Sequence, residues 1–277
     1  MVRVGLVGCG TIGSQLAFAL QRGYPDAARI VALHDVDRAH AMALRRRLID
    51  APPIVSLPEL IRRSQLIVEA ASADVAAQVV RRTLRANRSV FVMSVGGLLR
   101  DRSWQRLASR SRGKIYVPSG ALAGLDGVKA LAVGRIRRLS LTTRKPPRAL
   151  ASAPYVLRKH LHLERLTRPS VIFEGSPRAA VEAFPQNTNV AATLTLAASR
   201  SGVRWSDDHP RTRVRIRVVA DPTIRVNVHE LEVEGDCGRL RCRVESRPSI
   251  NPKTSEIAVR SAVATLGRLF DSVLIGT

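Results

Sequence analysis

Val2-Arg3-Val4-Gly5-Leu6-Val7-Gly8-Cys9-Gly10-Thr11-Ile12-Gly13 opens the chain: an apolar strand runs into glycines spaced G-x-G-x-x-G, with a helix starting near Thr11. The three glycines have separate tasks. The first permits the tight turn out of the strand, the second lets backbone approach a pyrophosphate, and the third lets helix pack closely on strand. The helix N-terminus then faces the phosphates. The flanks are those such a loop requires, with Val4, Leu6 and Val7 before it and Leu16, Ala17 and Leu20 after it. A second apolar run, Ile30 to Leu33, ends in His34-Asp35. That puts a carboxylate about 20 residues past the last glycine, where an acid bonds a ribose hydroxyl. Gly8, Gly10, Thr11, Ile12, Gly13 and Asp35 are therefore expected to hold a dinucleotide.

Working outward, the alternation of apolar runs and amphipathic stretches continues as a βαβ rhythm, the mark of a doubly wound parallel sheet. A helical stretch from Asp37 to Ile49 stops at Pro52-Pro53, and Leu57 to Arg63 forms a short helix with Ser56 as its cap. Leu66-Ile67-Val68 is a buried strand whose carboxyl end releases Glu69-Ala70-Ala71-Ser72, on the edge where ligands of open α/β sheets bind. Ala71 and Ser72 are small enough there for close cofactor approach. A helix from Asp74 to Arg85, a strand from Ser89 to Ser94, a break at Gly96-Gly97, a helix over 101–111 and a strand from Lys114 to Val117 complete this Rossmann domain, residues 1–118.

Residues 119–250 read as a second, α+β domain with a mostly antiparallel sheet. Its first segment, Ser119 to Asp126, is a run of small residues suited to a helix start and to facing a cofactor. Arg138 to Thr143 alternates as a strand that Arg144-Lys145-Pro146-Pro147 breaks. Leu150 to Arg168 is expected to be helical, Val171 to Phe173 a strand, and Ser176 to Phe184 a helix. A further helix follows Pro185, with Asn187 and Asn189 near its start, and then a polar insert over 199–212. Strands 213–219, 226–234 and 239–246 are expected to form an antiparallel meander. Asn251-Pro252 opens a C-terminal helix, residues 251–277. Its stripe of Ile257, Ala258, Ser261, Ala262, Thr265, Leu266, Leu269 and Phe270 is expected to return to the Rossmann sheet.

At 277 residues the chain is long enough for two domains, and it has no apolar run of membrane-spanning length. Three cysteines without metal-ligand spacing indicate neither a disulfide framework nor a zinc site, so a cytoplasmic protein without a metal is expected. The net charge of +23 is unusual, and only five of the 45 basic residues are lysine. The arginines are spread over many elements instead of forming a tail, and the aromatic residues are too few to serve as stacking platforms. Specific nucleic-acid binding is not expected; such a field also draws in anionic substrates. For proton chemistry, His229 stands apart from the other histidines because it lies in a regular strand between Asn227 and Glu230.

Taken in order, GCGTIG (8–13), VEAAS (68–72), MSVGGL (93–98), SGALAGLD (119–126), TRKPP (143–147), FEGS (173–176), FPQNTNVAAT (184–193), ADPTIRVNVHE (220–230) and NPKTS (251–255) resemble the L-aspartate dehydrogenase family over nearly the whole chain. The resemblance implies NAD(P)-dependent oxidative deamination of L-aspartate, via iminoaspartate, to oxaloacetate and ammonia. A homodimer and a link to NAD biosynthesis come with it. By motif, His229 carries over as the catalytic residue, and Ala121 with Asn187 or Asn189 as cofactor contacts. Arg144, Lys145, Asn227 and Lys253 are candidates for the substrate carboxylates, because cations and amides complement them. Asp35 favours NAD, since its charge repels a 2′-phosphate, while Arg38 nearby leaves NADP open. Two readings compete: a dihydrodipicolinate-reductase-like enzyme acting on another amino or imino acid, and a cofactor-binding regulator that contacts nucleic acid.

Overall fold

The computed structural model describes residues 1–185, 189–199, 213–249 and 255–276. They form two compact units, one of Met1–Pro118 with Arg260–Ile275, the other of Ser119–Val259 with the last residues. In the first unit β1 (Val2–Val7), α1 (Thr11–Gly23), β2 (Ala28–His34), α2 (Arg38–Arg45), α3 (Leu57–Arg63), β3 (Leu66–Glu69), α4 (Ala73–Arg85) and β4 (Ser89–Val92) follow in turn. Next come α5 (Gly96–Arg100), α6 (Trp104–Ala108) and β5 (Ile115–Tyr116). The strands are all parallel, in the order β2-β1-β3-β4-β5. The order reverses between β1 and β3, which creates a crevice at their carboxyl ends.

Local chemistry explains the boundaries. Asp37 caps α2 by accepting the Ala39 N–H at 2.8 Å, whereas Ser56 precedes α3 without a side-chain capping bond. The helix expected over 101–111 is instead two short helices. Gly96-Gly97 begins α5 and does not break the chain, and Gly97 packs so closely on α4 that a side chain there would overlap the Ala73 carbonyl. Asp101 then turns the chain by accepting the Ser103 N–H at 2.9 Å.

The second unit contains α7 (Leu125–Val133), β6 (Ile136–Lys145), α8 (Pro147–Leu150), α9 (Pro154–Arg158) and a 3₁₀ turn at Leu163–Arg165. β7 (Ser170–Gly175), α10 (Pro177–Ala183), α11 (Asn189–Ala197), β8 (Arg213–Ala220), β9 (Asn227–Gly235) and β10 (Arg239–Ser246) follow. The sheet order is β10-β9-β6-β8-β7, with β6 and β8 parallel and the other pairs antiparallel. This corrects the expected meander: β9 and β10 form a hairpin, but β6 lies between β8 and β9. The insertion follows from length and pattern. β6 is ten residues long, and its Leu139 and Leu141 bury fully between Ile216 of β8 and Val233 and Leu231 of β9.

The last helix, α12 (Glu256–Gly267), places Ala262 and Leu266 in the core of the first unit with Val4, Leu6, Leu16 and Phe91. Its buried stripe is offset from the expected one, because Ile257 is 38 % exposed and Val259 is buried. The Asn251-Pro252 start lies outside the described residues, as does the 200–212 part of the insert.

Candidate active site

In the first unit the glycine loop is built as its spacing requires. Gly8 has a φ of +91°, and a side chain there would collide with the Ala70 carbonyl after β3. A Cβ at Gly13 would overlap the carbonyl oxygen of Gly8, so helix and loop touch backbone to backbone. At Gly10 an added Cβ would meet nothing within 4 Å. That open space, and an α1 N-terminus with no side-chain cap, fit a pyrophosphate. Thr11 and Ile12 form the first turn of α1.

Asp35 follows β2. Its Oδ2 accepts the Cys9 N–H at 2.6 Å and its Oδ1 accepts the Asp37 N–H at 2.8 Å, so the carboxylate also braces the glycine loop. Cys9 itself is inert, its thiol pushed up to about 12 by burial first and the Asp35 charge second. Exposed Ala71 and Ser72 follow β3 and are held by a residue that sequence reasoning passed over. Glu69, fully buried, accepts the Ala71 N–H at 2.9 Å and the Ser94 N–H at 3.0 Å. Burial raises its carboxyl above the usual range, against the pull of those N–H groups. The signal available was a lone acid at the end of an apolar strand.

In the second unit, one face of the sheet changes character along its length. Leu139 faces Val233 and Leu141 faces Leu231, and the next pair in the same alternation is Thr143 with His229. Two residues further along each strand, on the same face, come Lys145 and Asn227. All four side chains lie in the interior, between 1 % and 4 % exposed. The Thr143 hydroxyl is 3.0 Å from His229 Nδ1. Burial, and then the charge of Lys145, push the His229 imidazole down to about 3, so the ring is neutral at physiological pH. Burial alone brings Lys145 down to about 8. Neither polar atom of the Asn227 amide has a partner among the described residues.

Lys145 thus ends β6 and is not part of a break after it. Arg144, one residue earlier, points to the opposite face, where its Nε donates to Glu230 Oε2 at 2.9 Å. It does not join the His229 group. That face is a lattice of Arg–Glu pairs, with a cavity of about 880 Å³ among Arg138, Arg144, Arg217, Glu230, Arg241 and Arg243 that contains none of the four buried residues. Several arginines of this unit are neutralised there, in largely exposed pairs that contribute at most about 1 kcal/mol each.

Ala121 is buried in the core of the second unit with Val190 and Ala191 of α11, just after Gly120 at a φ of +66°. Asn189 is the first residue of α11 and is exposed, whereas Asn187 and Lys253 lie outside the described residues. Thr143, like Glu69, was missed by sequence reasoning. Carrying the Leu139, Leu141 alternation two residues further would have found it. No described helix is long and apolar enough to cross a membrane.

Residues 126–269 match the family model described as aspartate dehydrogenase, C-terminal, and residues 8–118 match the one described as homoserine dehydrogenase, NAD binding domain. An L-aspartate dehydrogenase of Methanosarcina barkeri is 41 % identical over 100 % of both chains. L-aspartate dehydrogenase 3 of Bordetella bronchiseptica is 38 % identical over 99 % of this chain and 97 % of its own. Among solved structures, an aspartate dehydrogenase from Thermotoga maritima shares the fold with a TM-score of 0.70 over 100 % of both chains, at 22 % identity.

Proposed function

Because the chain belongs to the aspartate dehydrogenase family, we propose that it catalyses the NAD(P)-dependent oxidative deamination of L-aspartate, through iminoaspartate, to oxaloacetate and ammonia. The observation that carries this reading is the Asn227 amide, buried on the same sheet face as His229 and Lys145 with neither polar atom partnered among the described residues. A buried polar group without a partner costs about 1–3 kcal/mol. A substrate with two carboxylates and an amine recovers that cost: the amide NH₂ donates to a carboxylate oxygen, the amide oxygen accepts from the amine, and the Lys145 ammonium balances the negative charge.

When bound, the nicotinamide supplies the acceptor for the hydride that leaves Cα of aspartate. Gly8, Gly10 and Gly13, with the first-turn N–H groups of Thr11 and Ile12, hold the pyrophosphate of the cofactor. Asp35 would take a ribose hydroxyl and Ala71 and Ser72 would be further contacts of the cofactor, while Ala121 and Asn189 are carried over as cofactor contacts from the family motifs alone. His229, as a neutral imidazole, accepts a proton from the amine or from the water that adds to iminoaspartate, and returns it to the departing ammonia. Arg144 has no part in this, being committed to Glu230 on the other face. Asp35 makes NAD the preferred cofactor over NADP, which the ratio of the two catalytic efficiencies tests. From the family we also carry over a cytoplasmic homodimer serving NAD biosynthesis.

The test is the absorbance of reduced cofactor when L-aspartate is added, against a panel of other amino acids. L-aspartate is expected to be the preferred substrate, and His229→Ala to lose most of the turnover while still binding NADH. Failure to reduce NAD with L-aspartate, or wild-type turnover by His229→Ala, would overturn the assignment.

A further inference from the structure

Resting on the reading of His229 as the proton-transfer group, we propose that Thr143 is its positioning residue, holding the ring through Nδ1 so that Nε2 is the nitrogen offered to the substrate. Thr143 and His229 are direct cross-strand partners on β6 and β9, buried to 3 % and 4 % exposure, with 3.0 Å between Oγ1 and Nδ1. A threonine in a strand is stiff about χ1, so its hydroxyl is a fixed point on which the imidazole can register.

The choice of a hydroxyl has a chemical consequence. A carboxylate in this place could only accept, and its charge would favour the imidazolium. A hydroxyl accepts from Nδ1–H while Nε2 carries the free lone pair, and donates to Nδ1 when the proton sits on Nε2. Both tautomers of the neutral ring are therefore held in one orientation. Burial and the neighbouring Lys145 charge keep the ring uncharged, which agrees with its lowered pKa of about 3. The nearest residues of β8 to Thr143 and Lys145, Val218 and Ala220, are apolar and buried and leave the hydroxyl as the polar partner of Nδ1.

Thr143→Val exchanges the hydroxyl for a methyl of similar shape, and Thr143→Ser keeps the hydroxyl. We expect Thr143→Val to lower kcat for L-aspartate roughly tenfold, the equivalent of one lost orienting hydrogen bond. The Kd for NADH should stay near wild type, the melting temperature should fall by several degrees because Nδ1 is left buried without its partner, and Thr143→Ser should recover both the melting temperature and, to within about threefold, kcat. An activity-independent reading comes from the ¹⁵N shifts of the His229 ring, whose Nδ1 resonance should move in Thr143→Val and not in Thr143→Ser. Wild-type kcat in Thr143→Val, or equal losses in both variants, would overturn the proposal. Should the wild-type protein make no NADH from L-aspartate, the functional reading fails on its own. The ring shifts then still decide whether Thr143 holds Nδ1, and an unmoved resonance overturns that.

Discussion

Gly10→Ala adds one methyl group at a point of the loop where no protein atom lies within 4 Å, on a residue whose φ of −70° any amino acid adopts. Two effects on stability nearly offset. Restricting the unfolded chain stabilises by about 0.4–1 kcal/mol, while alanine is a poorer helix N-cap than glycine by a similar amount. The melting temperature should therefore move by no more than about 2–4 °C, the shift that roughly 1 kcal/mol produces in a chain of this size. Affinity behaves differently. The methyl fills the space that a pyrophosphate oxygen needs to reach backbone N–H groups, and a charge-assisted hydrogen bond is worth about 1.5–3 kcal/mol. The Kd for NADH, read by fluorescence titration, should rise at least about tenfold. Gly13→Ala is the opposite control, because its Cβ would overlap the carbonyl oxygen of Gly8, and backbone cannot yield as a side chain can. Overpacking of that kind costs on the order of 3 kcal/mol, and the melting temperature should fall by about 6–12 °C. Wild-type NADH affinity in Gly10→Ala would refute the assignment of that space to the cofactor, and an undiminished melting temperature in Gly13→Ala would refute the close packing.

Two further outcomes follow from the buried ionisable groups. Glu69→Ala leaves the Ala71 and Ser94 N–H groups without their acceptor, so stability should drop by about 2–4 kcal/mol in urea titration, with weaker NADH binding through the loosened 70–72 turn; a loss under about 0.5 kcal/mol would sink the bracing role. The His229 imidazole is held near 3 in the fold against 6.5 in the unfolded chain, so below pH 6.5 the unfolded state binds the extra proton and stability declines as pH falls towards 3. At pH 4 this amounts to roughly 3 kcal/mol relative to pH 7. The raised Glu69 carboxyl works in the opposite sense, its contribution being lost as pH rises, but it is common to wild type and His229→Gln. The difference between the two pH profiles therefore isolates the histidine, and parallel profiles would contradict its burial in the neutral form.

The glycine loop was legible because each of its requirements is local: a turn, an open approach and a close helix contact, all carried by residues within one short stretch. The second unit was legible only as far as alternation reaches. Alternation marks β8, β9 and β10 as strands and says which residues share a face, but not which strand lies beside which, and the insertion of β6 between β8 and β9 could not be read from it. The end of β6 was misjudged for a narrower reason. The Arg144-Lys145-Pro146-Pro147 run reads as a break in the strand, whereas the residue before a proline is biased towards extended backbone, so β6 runs on to Lys145. Those last two residues decide the site, because alternation sends Arg144 to the Arg–Glu lattice and Lys145 to the face of His229. The register that sets Thr143 opposite His229 then brings Lys145 and Asn227 to the polar end of an otherwise apolar face. Single-residue reading ranks exposed arginines and lysines alike as carboxylate ligands. The strand register separates them, since a slip of one residue would turn Arg144 inward and Lys145 outward.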